Sequence, residues 1–182
     1  MTAIPDISFE QCVEGLLQGD FSRLKPVMNP AHLGTWLDQG LFAAGRPELD
    51  EALACACFLG ETKLAEKLLD NGARIETSNR TGLDATHWAA NRGHVETVRL
   101  LIARGAPLES LSHYDGTVLG TTVWSALNEP RQGQIEIAEA LLQAGANLNG
   151  ARLDTVGFPT GRDDLDAVLR RFGADKGCTV GD

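Results

Sequence analysis

Three stretches of the chain share one spacing of apolar positions. Gly60 is followed by Leu64, Ala65, Leu68 and Leu69, Gly93 by Thr97, Val98, Leu101 and Ile102, and Gly133 by Ile137, Ala138, Leu141 and Leu142. The offsets from each glycine are +4, +5, +8 and +9, which draws one apolar stripe along a short helix. A Gly-Ala pair closes each stretch, at Gly72-Ala73, Gly105-Ala106 and Gly145-Ala146, and a fourth stands at Gly173-Ala174. Glycine suits the left-handed residue that ends a helix. The pattern therefore predicts a repeat of helical blocks, each too small to bury its stripe alone.

The flanks continue the helical reading. Ser8-x-x-Gln11 is a capping-box start with a stop at Gly19, and Pro26 breaks any continuation. Asn29-Pro30 opens a helix that stops near Gly40, and another runs from Pro47-Glu48 to Leu59. At the far end Asp164 to Phe172 forms a helix stopped by Gly173, with Arg170 where the stripe elsewhere is apolar. A polar outer face is what a terminal repeat needs. Residues 176–182 read as a frayed tail.

The segment Gly82-Leu83-Asp84-Ala85-Thr86-His87-Trp88-Ala89-Ala90-Asn91-Arg92-Gly93-His94, continued to Ala106, resembles the ankyrin repeat. Asp84, Ala85 and Thr86 depart from the family's Thr-Pro-Leu turn. Thr117 to Gly120 lies 33 residues after Asp84 to His87, yet Gly133 lies 40 after Gly93. Seven extra residues must sit in that unit. Their expected place is Trp124 to Gln132, with Asn128 to Arg131 as the loop centre; such a lengthened repeat is similar to those of bacterial ankyrin proteins. The resemblance implies an all-α ankyrin-repeat solenoid of stacked helix-turn-helix units joined by β-turn or hairpin loops. The expected division is one domain over 1–182: a helical cap with a degenerate repeat (1–46), repeats at 47–79, 80–112 and 113–152, a capping half repeat (153–175) and the tail.

Composition removes several function classes. Hydrophobic residues are 43% and charged residues 23%, as in ordinary globular chains. The longest strictly apolar run, Ala52 to Leu59, is far short of the ~20 residues a membrane helix requires. Net charge is −9, and acids outnumber bases in each third of the chain, so nucleic acid or an anionic membrane is a disfavoured partner. The opening residues, Met1 to Asp6, lack a basic or apolar leader region. That reading makes the protein cytoplasmic and its cysteines, Cys12, Cys55, Cys57 and Cys178, reduced.

No residue set points to catalysis, a cofactor or a metal. His87 holds the family's turn-histidine position, which the resemblance assigns to bonding between neighbouring turns. His87 and His94 are separated by Gly93 and lack further ligands. Cys55 and Cys57 read as core, and Asp163, Asp164 and Asp166 as complements to a helix dipole. Asn79-Arg80-Thr81 matches a glycosylation sequon by chance. Trp88 is expected in the core.

The resemblance implies instead a non-catalytic module, monomeric alone, that binds another protein through its concave face and turn tips. Carried over by position, the contacting residues are Arg80, Thr81 and Leu83 at one tip, Asn91 and Arg92 before the inter-helix glycine, Phe58 and Leu59 in the preceding unit, and His113 and Tyr114 at the following tip. Trp124 and Arg131 join them from the insertion. Phe58 and Leu59 could equally pack on the N-terminal cap, and Trp124 could pack the insertion down. Two other functions stand beside it: a stabilising or inhibitory subunit of one enzyme, which would use the same surface, and a small-molecule or enzyme site built around the insertion, in which His113, Tyr114, Asp115 and Glu129 converge.

Overall fold

The apolar stripes place the helices in two parallel files. The computed structural model describes residues 10–11, 14–15, 30–76 and 82–174. The front helix expected from Ser8 to Gly19, the sequon with Arg80 and Thr81, and the C-terminal tail lie outside these, in whole or in most part. The described helices are α1 (Pro30–Asp38), α2 (Pro47–Leu59), α3 (Thr62–Asp70), α4 (Ala85–Arg92), α5 (Val95–Ala103), α6 (Val118–Asn128), α7 (Gln134–Gln143), a 3-10 turn (Leu148–Ala151), α8 (Leu153–Val156) and α9 (Asp163–Arg171). Among the described residues there is no strand. In one file α2 packs on α4 and α4 on α6; in the other α3 packs on α5, α5 on α7 and α7 on α9.

The repeat offsets report burial faithfully. Leu64, Ala65 and Leu68 are buried, as are Thr97, Val98 and Leu101, and Ile137, Ala138, Leu141 and Leu142. Leu69 and Ile102, at the last offset, are half-buried against the same core. The first helices lie between two neighbours, so they bury more than a stripe: Ala52 to Phe58 of α2 are all buried. Ion pairs tie the outer file together, with Arg104 reaching Asp70 at 2.7 Å and Glu66 at 3.3 Å.

The departures from the family's turn motif are resolved by side-chain capping. Asp84 is the N-cap of α4 and accepts hydrogen bonds from the backbone N–H of Thr86 and His87, each at 2.9 Å. Thr117, one repeat later, caps α6 by accepting from Gly120 N–H. The seven extra residues are not all loop. α6 continues past the point where α4 stops, through Leu127 to Asn128, and only Glu129 to Gly133 connect it to α7. Gln134, fully buried, fixes that connection: its Oε1 accepts from Arg131 N–H at 2.8 Å, and its Nε2 donates to Asn91 O at 3.2 Å.

Candidate functional site

A groove opens where four elements meet: the end of α4, the turn before α6, α6 itself, and the 3-10 turn with α8. Its volume is about 540 Å3. Leu83, Tyr114, Thr121, Trp124, Arg152 and Val156 are among its lining residues. Trp124 is 49% exposed and Tyr114 80% exposed, although both are large and aromatic. Such residues on a folded surface mark contact sites more often than chance.

The turn that carries Tyr114 is held rigidly. Asp115 N–H donates to Ser112 O at 2.9 Å, and Ser112 N–H donates to Gly116 O at 2.9 Å. The Ser112 hydroxyl accepts from Tyr114 N–H and Gly116 N–H. From the preceding unit, Gly82 O accepts His113 N–H at 3.0 Å. His87 Nε2 donates to Gly116 O at 3.1 Å, so the histidine bonds the neighbouring turn as the resemblance implied. Its Nδ1 lies 2.9 Å from Asp84 Oδ1.

Asp84 thus does more than cap. Its second oxygen accepts from the Ser110 hydroxyl at 2.6 Å. Burial alone would raise its pKa, but the His87 ring, Ser110 and the His87 N–H outweigh burial and hold the carboxyl below its ordinary value. A group of this kind stabilises the fold fully above its unfolded pKa of about 4 and loses that contribution as pH falls through the lower folded value. Asp84→Asn keeps a capping oxygen and removes the charge. We expect it to lower the urea midpoint at pH 7 and to flatten the wild-type decline as pH falls below about 4; parallel declines would show that Asp84 carries no acid sensitivity.

A second cluster lies along the face from the groove. Phe58 is 8% exposed and meets Trp88 edge-to-face, with ring centroids 5.1 Å apart. The Arg92 guanidinium sits 4.2 Å from the Phe58 ring centroid. Burial, then the nearby charge of Arg131, lowers the Arg92 pKa, and Glu129 offsets part of this. Phe58 therefore packs beneath Arg92 and beside Trp88 of the next unit. Leu59 is half-buried against the core.

The structure sorts the sequence candidates accordingly. Leu83, Asn91, Tyr114 and Trp124 come together at the groove. Phe58 and Arg92 form the second cluster, with Arg131 exposed beside it. His113 is exposed but is not a groove residue; its ring lies over Gly82, where an added β-carbon would fall 2.0 Å from its Cγ. Arg80 and Thr81 are outside the described residues. Sequence reading missed Thr121, Arg152 and Val156, which line the groove from α6 and from the junction of the third repeat with the capping half repeat. The last two occupy no position of the repeat motif, and only the fold brings them to the groove.

Neither His113 nor Glu129 lines the groove. Among the described residues no group of three or more His, Cys, Asp and Glu is placed to hold a metal ion. Cys55 and Cys57 are buried thiols, and burial, with the charge of Asp84, pushes the Cys57 thiol well up. Asp166 is buried and accepts from the Thr160 N–H and hydroxyl, while Asp164 is held ionised by Arg162. No helix of the described residues is long and apolar enough to cross a membrane.

The family model described as "Ankyrin repeats (3 copies)" matches residues 52–151. Curated relatives carry the same repeat. The chain is 35% identical over 133 residues to the ankyrin repeat, SAM and basic leucine zipper domain-containing protein 1 of Dasypus novemcinctus, covering 70% of this chain and 27% of that protein. The Ornithorhynchus anatinus protein of that name is 35% identical over 102 residues, 56% of this chain and 21% of its own length. The ankyrin repeat and KH domain-containing protein 1 of Homo sapiens is 35% identical over 98 residues, 54% of this chain and 4% of that protein. The chain thus corresponds to about a quarter or less of relatives that are much longer.

Proposed function

Because this chain belongs to the ankyrin-repeat family, whose repeats generally mediate protein–protein interaction, we propose that it is a non-catalytic module binding a partner protein through the groove and turn tips. The observation that carries this reading is the pair Tyr114 and Trp124. Both are exposed, and both stand on rigid elements over a preformed concavity. Rigid aromatic anchors lose little entropy on binding, which is why such residues concentrate affinity. The second cluster extends the surface with Arg92 and Arg131. The net charge of −9 disfavours a polyanion and favours a partner whose approaching surface is basic.

The test is affinity. A partner captured from the native host is titrated against the wild type and against Tyr114→Ala/Trp124→Ala. Loss of one hot-spot aromatic costs about 2 kcal/mol or more, so the double variant should bind at least about 30-fold more weakly at an unchanged Tm. Equal affinity with an intact fold rejects this surface.

A further inference from the structure

We infer that the groove takes a peptide segment in which a large apolar side chain stands next to an Asp or Glu carboxylate, the apolar group seating between Tyr114 and Trp124 and the carboxylate pairing with Arg152. This deepens the protein-binding reading and rests on it.

The groove's own chemistry selects that occupant. Its lining is apolar and hydroxylic, and among the described residues Arg152 is the only charged one in it. The Arg152 guanidinium is exposed; its hydrogen bond is a long one, 3.4 Å to Asp115 O, and among the described residues no carboxylate pairs with it. Arg46, Arg74, Arg99, Arg104, Arg131, Arg162 and Arg171 have carboxylate partners, and Arg92 and Arg170 lie over the Phe58 and Phe158 rings. A planar guanidinium beside an apolar cleft is suited to a carboxylate arriving with an apolar anchor. The chain's overall negative charge does not forbid this, because screening confines distant charges to within about 8–10 Å.

The backbone gives an independent sign that the site is built. Among the described residues, the non-glycine residues with positive φ are Asp115 at 56° and Arg152 at 52°. Arg152 lines the groove, and Asp115 lies between two residues that do, Tyr114 and Gly116. A side chain in this region costs of order 1 kcal/mol or more and persists where the surroundings impose it, commonly at ligand clamps. Here the Arg152 to Asp115 O contact links the two strained residues across one edge of the groove.

A random peptide library displayed on phage is selected separately against the full wild-type chain, Arg152→Glu and Tyr114→Ala/Trp124→Ala. Arg152→Gly, which relieves the positive φ, is the second charge variant. The wild type should enrich peptides with an apolar residue adjoining Asp or Glu. Arg152→Glu should bind these about tenfold more weakly or worse and should itself enrich Lys or Arg at the acidic position. Arg152→Gly should lose the acidic preference while keeping the apolar one, and the double aromatic variant should lose both. Wild-type peptides without an acidic preference, or a preference that Arg152 variants leave unchanged, overturn the carboxylate pairing alone. Peptides that still bind the double aromatic variant overturn the groove as the site. Failure to enrich any peptide overturns the peptide inference alone, and the partner titration above tests protein binding separately. A wild-type dimer in sedimentation that the aromatic variant dissolves would assign the groove to a second copy and reject the acidic peptide.

Discussion

Leu101→Ala will lower the unfolding free energy by about 2–5 kcal/mol. Leu101 is fully buried on α5, an inner helix of the outer file that packs on α3 on one side and α7 on the other. Truncation removes apolar surface from water-free contact and leaves a cavity that two rigid neighbours collapse into poorly. In a chain of this size each kcal/mol lowers Tm by about 2–4 °C. Glu109→Ala is the comparison. That side chain is exposed and accepts one backbone N–H, from Asn147 at 2.8 Å, so its loss should cost about 1 kcal/mol or less. Urea melts of the two variants check the difference, and equal costs would mean that the stripe is not what holds the units together.

The second large effect is expected at Gly93, between the helices of the central unit. Gly93 has φ 80°, and a β-carbon there would lie 2.2 Å from Gln132 O, a backbone atom of the next unit. Gly133 returns the contact, its β-carbon position lying 2.4 Å from Gly93 O. The units therefore approach backbone to backbone at this point. Gly93→Ala must bear the left-handed strain and also push two units apart, for a cost of about 2–5 kcal/mol. Gly105 separates the two contributions. It has the same φ of 80° but nothing within 4 Å of where an alanine methyl would stand, so Gly105→Ala should cost only about 1 kcal/mol. Denaturant midpoints measured on both variants give the cost of close approach by difference; matching values would remove it.

Period and burial were readable because they follow from one constraint, that each stripe must meet its neighbour. Leu64, Leu68, Val98, Leu101, Ile137 and Leu141 are buried where their offsets put them. The insertion was readable in length but not in form. Nothing in Leu127-Asn128 decides locally between a further helical turn and a loop. The outcome depends on Gln134, whose partners come both from the connection itself and from the preceding unit. The turn chemistry was hidden in part: the Asp84 cap is local, made to the Thr86 and His87 N–H groups, but its contact with Ser110 shows only when the fold brings that residue beside it. At the groove, Tyr114 was accessible to sequence reasoning through its repeat position and Trp124 through its place at the edge of the insertion. Arg152 was not, because a left-handed arginine at the junction of two units leaves no sequence signature.

Binding through the groove is tested most directly by photo-crosslinking. A benzophenone amino acid is placed at Tyr114 over the groove in one sample, and at exposed Ala103 on the outer file in another, and each chain is irradiated with its captured partner. The account predicts a covalent adduct from position 114 and none from position 103. Adducts from 103 alone would place the partner on the opposite file and contradict it.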